Sequence, residues 1–159
     1  MAIITTCGEG IKKTTTVELS FRGFYQEKQI ENIKAVDGVY VAHACTLHVD
    51  EEGKETCTPL RVIYVGIGTG TDNVHVRVGQ HKNNDHPSWK KHLKEGEHIL
   101  YSYAECPASI VHDVEAALIY RNQPEENDVS KERYTGDTHF LTVKSSGEIG
   151  TLKNNITVL

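Results

Sequence analysis

Tyr40, Tyr64, Arg77, His81, Glu115 and Asn127 are the residues of this sequence whose types and spacing can do chemistry. Tyr40 ends the run Asp37-Gly38-Val39-Tyr40, and Tyr64 lies in Ile63-Tyr64-Val65-Gly66, so each tyrosine stands near a glycine in a stretch of strand-like, β-branched and aromatic composition. Gly38 and Gly66 mark places where backbone can approach a ligand closely. Arg77 and His81 have the i, i+4 spacing at which helical side chains become neighbours, so both can address one anion. Glu115 interrupts the apolar stretch Val114 to Ile119, one turn after Val111 and His112. An unpaired carboxylate is costly to bury. Glu115 therefore faces solvent beside the stripe, pairs with His112, or is compensated by a divalent ion.

Taken in order, Gly38-Val39-Tyr40, Tyr64-Val65-Gly66, Arg77 with His81, Glu115-Ala-Ala-Leu118-Ile119, and then Pro124 and Asn127, the set resembles the GIY-YIG nuclease family over about Val36 to Asn127. Val39 and Val65 each stand where the name-giving motifs have isoleucine, a conservative exchange in a strand. The resemblance implies a metal-dependent endonuclease that hydrolyses phosphodiester bonds in DNA. Glu115 would hold a single Mg2+ or Mn2+ and Arg77 would neutralise the transition state. Tyr40 would take a proton from the attacking water, its pKa lowered by nearby positive charge, and His81 would finally receive that proton. Tyr64 and Asn127 would position the phosphate and brace the site. The other reading is a catalytically silent adaptor that keeps the fold and binds nucleic acid or protein.

Charge bears on this choice. The net charge of -5 argues against a protein that coats nucleic acid by bulk electrostatics. Lys82, Lys90, Lys91 and Lys94 nevertheless gather just after Arg77 and His81, while acidic residues crowd Asp50 to Glu55 and Glu125 to Glu132. The lysines, with Gly66, form either a DNA-binding face or the solvated side of a helix. Other chemistry is poorly supported: Cys45, His48 and Cys57 leave a zinc site without a fourth ligand, and Gly66-Ile-Gly68-Thr-Gly70 lacks the lysine of a phosphate-binding loop.

The elements that must position these residues are read from periodicity. Alternation predicts strands over Ile3 to Cys7, Thr15 to Phe21, Gly38 to Val49, Glu55 to Ile67, Ile99 to Ala104, Phe140 to Val143 and Ile156 to Val158. Pro59 interrupts the fourth, as no central strand would tolerate. Helices are expected from Val74 to about Lys82, capped by Asp72 or Asn73, from Trp89 to Lys94, and from near Pro107 to about Asn122. The fold expected is α/β (α+β): a small central antiparallel sheet flanked by helices, one domain over 1–159, with a GIY-YIG-like core over 30–129. The β-rich extensions 1–29 and 130–159 are where a homodimer would form. With no apolar run of membrane length, no signal-peptide layout and four scattered cysteines, the chain is expected to be soluble, cytoplasmic and free of disulfides.

Overall fold

A computed structural model describes residues 2–10, 13–83 and 87–159. The fold is mixed α/β and mostly sheet, with a few helices. In chain order it runs β1 (Ile3–Cys7), β2 (Thr14–Tyr25), a 3-10 helix (Glu27–Asn32), β3 (Gly38–Val49), β4 (Glu55–Gly68), α1 (Val74–Asn83) and α2 (Pro87–Lys90). β5 (Glu97–Glu105), α3 (Val111–Asn122), β6 (Leu141–Gly147) and β7 (Asn155–Val158) follow. Among the described residues seven strands share one sheet in the order β4-β3-β5-β2-β6-β7, with β1 added to β2.

The sheet is thus larger than the small antiparallel one expected from sequence. β2 is long enough to pair with β5 at its far end and with β6 along its first half, so both terminal segments join the same sheet. The β2–β6 pair is parallel and the remaining pairs are antiparallel.

β3 lies between β4 and β5, and its first eight residues are buried, so both its faces must be apolar. Val39 and Val41 pack into the core under α3, with Val114, Ala117 and Leu118. Tyr40, Ala42 and Ala44 point the other way, into a second core with Ile63, Val74, Val78 and Trp89. The period-2 geometry of a strand thereby places Tyr40 on the face covered by α1 and α2.

β4 continues through Pro59 because it is an edge strand and because the register slips there, Ala44 pairing Arg61 and Cys45 pairing Pro59. A second slip occurs between the pairs Ala42–Tyr64 and His43–Val62, leaving Ile63 as the extra residue of a bulge. Ile63 and Tyr64, although consecutive, therefore pack on the same core as Tyr40. The segment after α3 closes the open edge of β4. The amides of Glu125 and Glu126 donate to the carbonyls of Val62 and Ile63, and the Asn127 side chain exchanges two 2.9 Å hydrogen bonds with the Val65 backbone.

Helix α1 begins where Asn73 Oδ1 accepts the Val76 amide at 3.1 Å, which settles the capping residue as Asn73 rather than Asp72. Gly68 permits this junction, since a Cβ there would strike the Asn73 carbonyl carbon and the Val74 nitrogen. The helix expected over Trp89 to Lys94 is shorter than read: α2 ends at Lys90 and a turn carries the chain to β5. α3 starts at Val111, after a turn in which the Pro107 carbonyl accepts the Ile110 and Val111 amides. No helix among the described residues is long and apolar enough to cross a membrane.

Candidate functional site

Five of the six residues singled out above meet at one end of the β3–β4 pair. The Tyr40 hydroxyl, fully buried, lies 2.5 Å from Nε2 of His81, which α1 presents across the sheet face. Tyr64, on this face because it pairs with Ala42, stands with its ring 6.1 Å from that of Tyr40 and 5.5 Å from that of His81. Arg77, one turn before His81, hydrogen-bonds Gln80 at 3.0 Å and acts electrostatically on Tyr40, Tyr64 and Glu115.

Burial dominates the acid–base character of the cluster. It raises the Tyr40 hydroxyl well above the phenol range; the neighbouring Tyr64 and Glu115 push the same way, and only Arg77 opposes. Tyr64 is raised too, by burial and then by Glu115. Arg77 therefore does not by itself lower Tyr40 as expected: among the described residues its charge is outweighed by desolvation, the Tyr64 ring and a carboxylate. Glu115 is half-buried, and loss of solvent pushes its carboxyl up to about 7 despite Arg77. His112 is exposed and does not set this shift.

Gly66 belongs to the cluster as a space rather than a ligand. A Cβ on Gly66 would sit 2.5 Å from Cζ and Oη of Tyr40 and 2.7 Å from Cε1 of Tyr64. Backbone hydrogen-bonded to β3 at this point cannot retreat, so the tyrosines would have to move. Gly66→Ala is expected to lower stability by about 1–3 kcal/mol, as overpacking of a tight site does, and to break the Tyr40–His81 contact. Thermal unfolding checks the first effect, and an unchanged melting temperature would show that the pocket relaxes freely.

Asn127 is not available to position a phosphate, because both ends of its carboxamide are engaged by Val65, between Tyr64 and Gly66. It braces the strand that carries the site. The lysines do not form a uniform face. Lys90, Lys91 and Lys94 are exposed, but Lys90 lines a groove of about 650 Å3 together with Glu27 and Glu97, and the Lys94 amide donates to Glu97. The Lys82 side chain lies outside the described residues.

Two features escaped sequence reasoning. Trp89 is buried against this cluster, its ring centroid 4.4 Å from that of His81 and 4.9 Å from that of Tyr64. A single tryptophan next to a Pro-Ser turn was the available signal, and nothing in its spacing tied it to His81. The second feature is an ion-pair network. Arg61 makes two bonds of 2.7 and 2.8 Å to Glu97 and one of 2.8 Å to Glu125, while His92 lies 3.1 Å from Glu125 and 2.6 Å from Glu126. Arg61 holds the Glu97 carboxyl down at about 2. This network ties the turn after α2 to the segment after α3, and so fixes Trp89 relative to Asn127.

Among the described residues no cluster of three or more His, Cys, Asp or Glu side chains is arranged to hold a metal. Beside the Tyr40–His81 pair, the carboxylate among the described residues that could be offered to an ion is Glu115. That donor set suits Mg2+, which keeps several waters and takes one or two carboxylates plus phosphate oxygens. Comparison with family models, curated proteins and solved structures gave no match to this chain.

Proposed function

We propose that the chain is a metal-dependent DNA endonuclease of the GIY-YIG type, its sheet and α1 forming the catalytic core. The observation that carries this reading is the Tyr40 hydroxyl 2.5 Å from His81 Nε2, with Arg77 and Glu115 acting on the same hydroxyl. A buried phenol held against an imidazole is a route for a proton; a structural tyrosine needs only an acceptor of any kind. The raised Tyr40 hydroxyl is not a standing phenolate. It takes a proton from water as it passes its own to His81, and His81 Nε2 must be unprotonated for that exchange. Arg77 faces the developing negative charge. A bound Mg2+ or Mn2+ would supply stabilisation of the leaving oxygen, and the half-buried Glu115 is the residue that would hold it. The free cysteines Cys7, Cys45, Cys57 and Cys106 are in keeping with a reducing, cytoplasmic setting. A second copy would add at β1, whose five residues are all exposed and whose only partner among the described strands is β2.

The adaptor reading is favoured by one observation, the placing of Glu27 and Glu97 beside Lys90 and Lys94 in a chain of net charge -5. Supercoiled plasmid incubated with the pure protein, with and without Mg2+, separates the two readings. Nicking that needs the metal and vanishes in Arg77→Ala supports the enzyme; binding without nicking supports the adaptor.

Each lysine that contacts a phosphate lowers the salt slope of DNA affinity by about one unit when changed to alanine. Lys91, exposed and away from the Glu97 groove, is expected to give that full unit, and Lys94, beside Glu97, less. Equal slopes for Lys91→Ala and the unmodified protein would move the DNA path elsewhere.

A further inference from the structure

We infer that Trp89 is a positioning residue for His81: its indole plane sets the imidazole so that Nε2, rather than a ring carbon, meets the Tyr40 hydroxyl. The inference rests on the nuclease reading for its consequence in catalysis, but not for its geometry. Trp89 is 4% exposed, far more buried than a surface aromatic in a polar segment, and α2 is too short to bury it by itself. What buries it is the second core, which includes Ile30, Ile33 and Tyr101 as well as the aromatic rings of the site. The indole lies 4.4 Å from the His81 ring, tilted at 35° to it, and 4.9 Å from the Tyr64 ring at 31°. Tyr64 meets His81 edge-on at 66°, so the imidazole has an aromatic plane on one side and an aromatic edge on another. Rotation of the imidazole about its Cβ–Cγ bond would drive it into one of them.

That restriction matters because only one nitrogen reaches Tyr40. A ring free to turn would present Nε2 to the hydroxyl for part of the time and a C–H for the rest. Indole is also suited by what it lacks: its ring nitrogen is a donor only, so it offers no competing site for the proton that leaves Tyr40. Trp89 is in turn held by the chain around it. The His92 amide donates to the Trp89 carbonyl at 3.1 Å, the His92 carbonyl accepts from Arg61, and the His92 ring contacts Glu125 and Glu126. The acidic turn after α3 therefore fixes the aromatic wall of the proton route.

The test uses NMR of histidine-labelled full-length protein, with the His81 signals assigned by their loss in His81→Ala. In the unmodified protein the His81 ring protons are expected to be shifted upfield by the stacked indole, and its nitrogens to report one tautomer, with the proton on Nδ1. Trp89→Phe keeps a plane at this place and is expected to retain the single tautomer and most of the cleavage rate. Trp89→Leu fills space without a plane. It is expected to show averaged tautomers and a single-turnover rate about a hundredfold lower, the scale of a small misplacement of a reacting group, with DNA affinity unchanged. A merely structural tryptophan would lower the melting temperature in both variants and leave the tautomer alone. Unshifted His81 ring protons in the unmodified protein overturn the inference, and this holds even if Trp89→Leu does not fold. So does a folded Trp89→Leu that keeps the tautomer. If the unmodified protein cuts no DNA, the nuclease reading falls, while the spectra still decide whether Trp89 sets His81.

Discussion

A Glu115→Gln protein is expected to fold, to be more stable than the parent at pH 8, and to cut no DNA. The stability gain follows from the carboxyl's position. Its folded pKa, about 7, is above the ordinary 4.5, so folding favours the protonated acid. The group contributes stability that is fully present below about pH 4.5 and is lost as pH rises through about 7. Above that pH the buried charge costs on the order of 3 kcal/mol, an upper figure because Glu115 keeps partial contact with solvent. Glutamine has the same shape and no charge to bury. Denaturant unfolding should therefore show the two proteins nearly equal at pH 5 and the variant ahead at pH 8; a gap independent of pH would mean that Glu115 is not desolvated. Metal binding supplies the second half of the argument. Mg2+ that binds the native carboxylate should raise the parent's melting temperature at pH 8, by about 2.7 kcal/mol of stability at a hundredfold excess over Kd, and leave the variant unmoved. Full nicking activity in a folded Glu115→Gln protein would remove Glu115 from the site.

The residues of this cluster were singled out in the sequence by the order in which they resemble a family's motifs, while local pattern placed each of them on its element. Alternation places Tyr40 and Tyr64 on strands, the i, i+4 spacing pairs Arg77 with His81, and the apolar stripe of α3 frames Glu115. The hairpin of β3 and β4 and the extent of β3 were readable for the same reason, and the cap was narrowed to Asp72 or Asn73, between which the Val76 amide decides. What was not readable depends on register and on contacts between distant segments. The slip that leaves Ile63 unpaired turns Ile63 onto the face of Tyr40, beside Tyr64, and no local pattern distinguishes a bulged strand from a straight one. β2 and β6 pair in parallel across more than a hundred residues of sequence, so two terminal segments that look like appendages form one whole side of the sheet. Pro59 was misleading for a related cause: proline excludes a central strand, and only the strand order shows that β4 is at the edge. Asn127, expected to position the phosphate and brace the site, has both ends of its carboxamide on the Val65 backbone. Its side chain substitutes for the missing strand beside Val65, and Trp89, which no motif marked, packs on His81 together with Tyr40 and Tyr64.

Tyr40→Phe and His81→Ala are both expected to be inactive, and the pH profile of the second is the sharper test of how the proton moves. Two schemes share the same residues. In the first, positive charge keeps Tyr40 as a phenolate, which takes the proton of water directly; His81→Ala would then recover activity as pH rises, since hydroxide can remove the phenol's proton in its place. In the second, the phenol stays protonated until it hands its proton to His81. The structure favours the second. Burial raises the Tyr40 hydroxyl well above the phenol range, Tyr64 and Glu115 add to the shift, and Arg77 does not cancel them. Burial of this kind opposes ionisation by buffer, so without His81 the proton loses its acceptor. Phenylalanine at position 40 removes the hydroxyl that links water to Nε2, 2.5 Å away, and leaves His81 without its partner. Loss of one general acid–base group is worth about 10²–10⁴ in rate, and both variants should fall by that much at every pH between about 6 and 9. Single-turnover cleavage measured over that range decides between the schemes. A His81→Ala protein whose rate climbs tenfold per pH unit would restore the phenolate, and substantial activity in Tyr40→Phe would mean that water is activated by His81 alone.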